Sequence, residues 1–264
     1  MTTLSVVIPC YNEEASLPHL FAKLRSLSGE LRREYELEYI FVNDGSTDGT
    51  GEILERARSK AVGGAVRVVR HAGNRGLGAA LQSGFAAASG ELVAALDCDC
   101  TFDPLDLPRM LRELDEETDI VSASEYHPEG RTEGVNPVRL VFSKTLSKFY
   151  RFVFRSGLYT FSSILRVYRR EVLAAIQIES SGFLSCAELM MKALAAGYCV
   201  KEVPVTLTAR QHGKSKIPIV RTIASHLAFI ARMRWRLWFS AAEGEASAVP
   251  SGAIPAWREA AVRR

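Results

Sequence analysis

Short, wholly apolar runs alternate with helix-like stretches from the start of the chain: LSVVI (4–8) then 14–28, YIFV (39–42) then 48–60, VRVV (66–69) then 76–88, LVAAL (92–96) then 105–116, and DIVSA (119–123). A strand that is apolar throughout is covered on both faces, and parallel partners need a crossover helix. The rhythm therefore predicts an α/β protein with a doubly wound, mostly parallel sheet. In such sheets the ligand sits in the crevice outside the carboxyl ends of the strands.

Polar residues gather where that rule places a site: Pro9-Cys10-Tyr11-Asn12-Glu13 after the first strand, Asn43-Asp44-Gly45-Ser46 after the second, and Asp97-Cys98-Asp99 after the fourth. Two carboxylates ending an apolar strand are costly to bury without a cation. Mg²⁺ or Mn²⁺, held by one or two carboxylates plus water and substrate phosphates, is the natural partner. The local alternative is a solvated pair opening a helix capped by Asp103-Pro104. Asp48 or Ser46 explains a capped helix start, but not Asp44, which ends its strand as an acceptor for nucleobase N–H groups. Pro9, Tyr11 and Glu13 offer a rigid turn, an aromatic wall and a further acceptor.

Asn74-Arg75-Gly76-Leu77-Gly78-Ala79-Ala80 follows the third strand, and its glycine spacing is not GxGxxG, which excludes a nicotinamide site there. A phosphate-facing turn and close packing of a small-residue helix are equally good readings. No Ser/His/Asp or Cys/His arrangement stands out, and the five histidines are scattered, each read as a surface or internally satisfied side chain. An attacking phosphate, already ionised at neutral pH, would need cations more than a base. Arg210, Lys214 and Lys216, with Ser215, supply them in ARQHGKSKI.

In the basic segment 138–156, Lys144, Lys148, Arg151 and Arg155 share a helical stripe beside Phe142, Leu146, Phe149, Phe152 and Val153. Val220–Phe239 mixes Trp235 and Trp238 with four arginines, so both segments are expected at a membrane surface, or else packed on the domain. The longest apolar stretches, such as Thr222–Ala231, are too short to span a bilayer. The first residues lack the pattern of a secretory signal, so the chain is expected in the cytoplasm. Five cysteines without metal or CxxC spacing read as reduced thiols, and a net charge of +3 gives no reason to expect nucleic acid. Residues 241–264, rich in Ala, Gly, Ser and Pro, are expected to be disordered.

The segments VVIPCYNEE, FVNDGSTDGT, NRGLGAA, DCDCTFDP, LRVYRREVL, GFLSCAELM and VKEVPVTLTARQHGKSKI, in that order over roughly residues 4–218, resemble the family 2 glycosyltransferases, and within them the dolichyl-phosphate (polyprenyl-phosphate) mannosyltransferases. The resemblance implies a GT-A-type fold, a nucleotide diphosphate sugar donor (GDP-mannose or a UDP-hexose), Mg²⁺ or Mn²⁺, and inverting transfer to a polyprenyl phosphate at a membrane surface. It implies that Pro9, Tyr11, Glu13, Val42 and Asp44 line the nucleoside pocket, and that Asp97, the Cys98 backbone, Asp99 and Thr101 meet the diphosphate and its metal. Arg210, Ser215 and Lys216 would grip phosphate, Arg139 would open the acceptor helix, and Glu188 would belong to the site with its role open. The organisation implied is a catalytic domain over 1–218, with a nucleotide-binding half (1–125) and an acceptor half (126–218), then an interface helix over 219–240.

Three positions depart from the family pattern. Thr101 replaces a frequent Gln, Glu125 replaces the arginine of a Ser-Arg-Tyr triplet with Arg131 as the nearest substitute, and Thr160 replaces an Asp. Two other functions fit the same residues: a nucleotidyltransferase, which would release pyrophosphate, and a sugar-nucleotide-binding or membrane-docking module without turnover.

Overall fold

The computed structural model describes residues 1–59, 62–211 and 219–242. Strands β1 (Thr2–Cys10), β2 (Tyr35–Asn43), β3 (Ala65–Arg70), β4 (Leu92–Ala95) and β5 (Ile120–Ser124) alternate with helices α1 (Leu17–Leu31), α2 (Thr50–Ser59), α3 (Leu77–Ala87) and α4 (Leu107–Arg112). The rest comprises β6 (Arg131–Glu133), α5 (Pro137–Phe154), β7 (Arg166–Arg169), α6 (Arg170–Ala175), α7 (Ser185–Ala195), β8 (Val200–Pro204), β9 (Thr206–Thr208) and α8 (Ile219–Ala242).

The strands form one seven-stranded sheet in the order β3-β2-β1-β4-β7-β5-β8, and a small parallel pair, β6-β9. All neighbours in the large sheet are parallel except β7, which runs antiparallel between β4 and β5. The expected parallel rhythm is therefore present, but β5 does not lie beside β4. Strands β7 and β8, from the later half of the chain, complete the sheet begun by the first half.

The core follows from local pattern. Leu17, Leu20, Leu24, Leu27 and Leu31 recur at helical spacing and are buried against one face of the sheet. On the other face α3 approaches closely because it carries small residues: a Cβ on Gly84 would stand 2.2 Å from Val7 Cγ1, and one on Gly78 would stand 1.9 Å from the Ser180 carbonyl oxygen. Close packing thus accounts for the glycines at 78 and 84. Asp48 caps α2 by accepting from the Thr50 N–H at 3.0 Å, and Asp103 accepts from the Leu105 N–H at 3.0 Å, as the sequence predicts.

A third apolar cluster joins α5, α7 and α8 through Tyr150, Phe154, Met190, Phe229 and Ile230. The Tyr150 hydroxyl and His226 Nδ1 are hydrogen-bonded at 2.9 Å inside it. Burial pushes the His226 imidazole down to about 4. On the outer face of α5, Val138, Val141, Phe142, Phe149 and Phe152 stay exposed, Phe152 at 81%, and Leu227 and Trp235 are exposed on α8. The cysteines are all free. No helix among the described residues is long and apolar enough to cross a membrane.

Candidate active site

The carboxyl ends of β1, β2, β4 and β5 open on one edge of the sheet, and the chain enters β7 from the same edge because that strand runs the other way. Asp97 and Asp99 lie just beyond β4, in a loop whose turn is made by Cys100 at φ 55°. The Thr101 hydroxyl donates to Asp97 Oδ2 at 2.8 Å, and the Thr101 N–H donates to Asp99 Oδ1 at 3.1 Å. Burial, and next the charge on Asp99, push the Asp97 carboxyl well above its ordinary value. Among the described residues no three His, Cys, Asp or Glu side chains converge as a metal cage. Two carboxylates and a hydroxyl fit a hard divalent ion that shares its remaining positions with water and a diphosphate.

A cation from the far end of the chain faces this pair. Strand β9 is pinned to the carboxylate loop by a bridge between Phe102 and Leu207 and by the Thr208 N–H donating to the Thr101 carbonyl at 2.9 Å. That pinning delivers Arg210, whose Nε lies 3.1 Å from Asp99 Oδ2 and whose Nη2 pairs with Glu13 Oε1. Glu13 also accepts from the Ser16 hydroxyl at 2.9 Å, and its carbonyl receives the first N–H groups of α1. It is thus both a helix-end residue and a partner of the arginine. Lys216 and Ser215 lie outside the described residues.

The expected nucleoside pocket is assembled in part. Pro9 and Tyr11 lie half-buried at the end of β1. Val42 does not line a pocket with its side chain: it is fully buried under α3, where a Cβ on Gly84 would meet its Cγ2 at 3.2 Å. Inside a doubly covered parallel strand, an apolar side chain goes to the core. The Cys98 thiol likewise turns inward, beside Cys10.

Asp44 is 3% exposed, and its carboxylate turns toward the 71–76 turn. It accepts from the Arg75 N–H at 2.9 Å, from the Gly76 N–H at 2.8 Å and from His71 Nδ1 at 2.6 Å. His71 Nε2 lies 2.9 Å from Ser83 Oγ. A Ser-His-Asp arrangement is therefore present, contrary to the sequence reading. Its members come from α3, the end of β3 and the end of β2, and only strand adjacency brings them together.

Glu188 corrects another expectation. It is 1% exposed and accepts from the Glu179 and Ser180 N–H groups at 2.8 Å each, with Lys192 Nζ at 2.7 Å. Burial pushes this carboxyl up, but Lys192 and the two N–H groups outweigh it and hold it below its ordinary value. The residue ties the 179–182 loop to α7 and is buried there. That loop in turn receives the Gly78 N–H on Ser181 at 2.7 Å.

On the acceptor side, Arg139 lies in the first turn of α5, close enough for its charge to act on Tyr126. Lys144 sits 5.7 Å and Arg151 4.3 Å from the Tyr126 and Tyr159 ring centres, so two cations of the expected stripe lean on aromatic rings of the domain. Leu146 and Val153 pack inward, while Phe142, Phe149 and Phe152 point out.

Glu125 is buried, and among the described residues its Oε2 has no hydrogen-bond partner. Burial pushes its carboxyl up to about 7. Beside it, Ser124 and Thr160 share a hydroxyl contact of 2.9 Å, and Glu202 accepts from the Tyr159 and Thr160 N–H groups at 2.7 Å each. Arg131 is exposed at the start of β6. Arg166, fully buried, donates to Ser122 Oγ and to the carbonyls of Phe161 and Cys186 at 2.6–3.1 Å, knotting β5, β7 and α7 together.

Comparison with known proteins extends this picture. The chain is 32% identical over 218 residues to a polyprenol monophosphomannose synthase of Mycolicibacterium smegmatis, with 80% of each chain covered. It is 30% identical over 224 residues to an undecaprenyl-phosphate 4-deoxy-4-formamido-L-arabinose transferase of Pseudomonas fluorescens, covering 83% of this chain and 62% of that longer one. Among solved structures, glucosyl-3-phosphoglycerate synthase of Mycobacterium tuberculosis, in complex with Mn²⁺, UDP and phosphoglyceric acid, superposes with a TM-score of 0.65 at 22% identity, over 88% of this chain and 78% of that one. That likeness establishes the shared GT-A-type fold. The family model for glycosyl transferase family 2 matches residues 5–177. By that match and by its relatives, the chain belongs to glycosyl transferase family 2.

Proposed function

We propose that this chain is an inverting, divalent-metal-dependent hexosyltransferase that moves a hexose, mannose by similarity to the mycobacterial relative, from a nucleoside diphosphate sugar onto a polyprenyl phosphate at the cytoplasmic face of a membrane. The observation that carries the reading is the pair Asp97 and Asp99 at the tip of β4, facing the Arg210 guanidinium at 3.1 Å. Similarity to transferases named for polyprenol and undecaprenyl phosphate supports the lipid acceptor.

Asp97, Asp99 and the Thr101 hydroxyl would hold Mg²⁺ or Mn²⁺. When bound, the ion neutralises the charge that collects on the departing nucleoside diphosphate. Arg210 exchanges its carboxylate partners for phosphate oxygens, and Lys216 and Ser215 are assigned to the same phosphate by the family resemblance alone. Pro9, Tyr11, Glu13 and Asp44 hold the nucleoside. An oxygen of the acceptor phosphate attacks the anomeric carbon from the face opposite the leaving group, so one C–O bond forms as the other breaks and the configuration inverts. The acceptor phosphate is ionised at neutral pH, so no side chain has to remove a proton. Placement and charge complementarity supply the rate.

The exposed apolar stripe of α5, flanked by Lys144, Lys148 and Arg155, together with Leu227 and Trp235 of α8, provides the surface that rests on anionic lipid. Arg139 meets the acceptor phosphate at the start of that helix. A second reading rests on Glu125: a buried carboxyl where the family resemblance leads one to expect an arginine favours a module that binds sugar nucleotide without turnover.

The test is a matrix of GDP-mannose, UDP-glucose and UDP-N-acetylglucosamine, each with and without Mn²⁺, scored first by thermal stabilisation and then by transfer to undecaprenyl and dolichyl phosphate. A metal-dependent product with release of nucleoside diphosphate is expected. Binding without product on either lipid supports the second reading, and release of pyrophosphate from a nucleoside triphosphate would replace both with a nucleotidyltransferase.

A further inference from the structure

The His71 ring stands between two hydrogen-bonding groups and is tied to both. A carboxylate only accepts, so Nδ1 carries the proton donated to Asp44 Oδ1 at 2.6 Å; in the neutral ring Nε2 then accepts from the Ser83 hydroxyl at 2.9 Å. The side chains of His71 and Asp44 are each 4% exposed. The relay does not serve a nucleophilic serine. Ser83 lies inside α3, where its N–H is spent on the helix and no pair of free N–H groups flanks it to receive an oxyanion.

What the relay does fix is a carboxylate. Asp44 Oδ1 is filled by His71 and the Arg75 N–H, whereas among the described residues Oδ2 receives only the Gly76 N–H. With about four acceptor directions on a carboxylate, one remains, on Oδ2. Gly45, at φ 68°, lets the 73–74 backbone pass so close that a Cβ there would stand 2.3 Å from the Gly73 carbonyl carbon, which brings the Arg75 and Gly76 N–H groups within reach of Asp44.

The geometry points to His71 as a positioning residue for donor recognition: held by Ser83, it fixes the Asp44 carboxylate so that Oδ2 keeps one acceptor direction for a ring N–H of the donor's nucleobase. This inference rests on the proposed placement of the nucleoside at Asp44. Uracil and guanine both present a ring N–H, so the experiment carries both.

Calorimetric titration with UDP, GDP and inorganic pyrophosphate, each with Mn²⁺, is run on the unaltered protein, His71→Ala, His71→Asn and Ser83→Ala. His71→Ala is expected to weaken whichever nucleoside diphosphate binds by about tenfold or more while leaving pyrophosphate unchanged. His71→Asn puts an amide N–H where Nδ1–H stood and is expected to recover most of the loss. Ser83→Ala, which frees the ring to rotate, is expected to cost about two- to threefold. In turnover the loss should fall on the donor KM and spare kcat.

Nucleotide affinity unchanged in His71→Ala overturns the inference, as does a parallel loss of pyrophosphate, which would make His71 a brace for the whole site. If the unaltered protein binds neither nucleotide, the donor reading fails and takes this inference with it. Should His71→Ala not fold, His71→Asn and Ser83→Ala carry the comparison: nucleotide affinity falling in Ser83→Ala alone supports the inference, and no change in either overturns it.

Discussion

Arg210 and Asp99 meet as an ion pair, Nε to Oδ2 at 3.1 Å, although more than a hundred residues of chain separate them. The contact exists because β9 is stitched to the loop that carries the carboxylates, with the Thr208 N–H on the Thr101 carbonyl and a bridge between Phe102 and Leu207, while the Ala209 N–H on the Glu133 carbonyl ties the same segment to β6. The guanidinium thereby supplies the positive charge that the acidic loop needs when no donor is present.

An arginine that neutralises Asp99 competes with a metal ion for it. Arg210→Ala is therefore expected to bind Mn²⁺ alone roughly three- to tenfold more tightly, yet to lose at least about a hundredfold in transfer because the diphosphate loses its grip. Titration of Mn²⁺ against the free protein, alongside initial rates, checks both halves.

Asp97 bears the cost of burial next to a second carboxylate. A carboxyl raised above its ordinary value adds stability at low pH and loses it as pH rises, so Asp97→Asn should melt about 2–5 °C higher at pH 8 without metal. The asparagine can still accept from the Thr101 hydroxyl. The same variant is expected to be inactive, so a stabilised protein with no metal-dependent transfer is the expected pairing.

Glu125 and His226 impose opposite slopes of stability on pH. Glu125 is raised from 4.5 to about 7, so its folded form holds the proton longer, and stability on the order of 3 kcal/mol is lost as pH climbs from about 4.5 to 7. Glu125→Gln removes that loss, and denaturant unfolding at pH 8 should show the variant more stable than the parent.

His226 is lowered from 6.5 to about 4, so its contribution is present above about 6.5 and disappears as pH falls toward 4, again on the order of 3 kcal/mol. The contact between Tyr150 and His226 should loosen first, and hydrogen exchange in α8 should rise below pH 6. His226→Gln, which still accepts from the Tyr150 hydroxyl, should be flat over that range.

Phe152 is the most exposed aromatic side chain of α5. Phe152→Glu is expected to reduce co-sedimentation with vesicles rich in anionic lipid by about tenfold and to leave the melting temperature within a degree or two, since the side chain is 81% exposed. Binding of the parent protein that is indifferent to lipid charge and to salt would remove the membrane surface from the proposal.

The sequence by itself determined the class of sheet, the helices that cover it and the edge on which polar residues collect, because burial on two faces leaves a continuous apolar run and helix spacing leaves a leucine stripe. It also determined the carboxylate pair, whose cost at a strand tip is a local matter. Only the tertiary structure decided that β7 enters antiparallel between β4 and β5, that Arg210 lands on Asp99, and that Asp44, His71 and Ser83 share one relay. It also turned Val42 and Glu188 away from the site and into packing and loop anchoring. Those outcomes depend on which strands become neighbours and which face a side chain meets across the sheet. No spacing along a single chain encodes a contact between residues that strand order alone brings together.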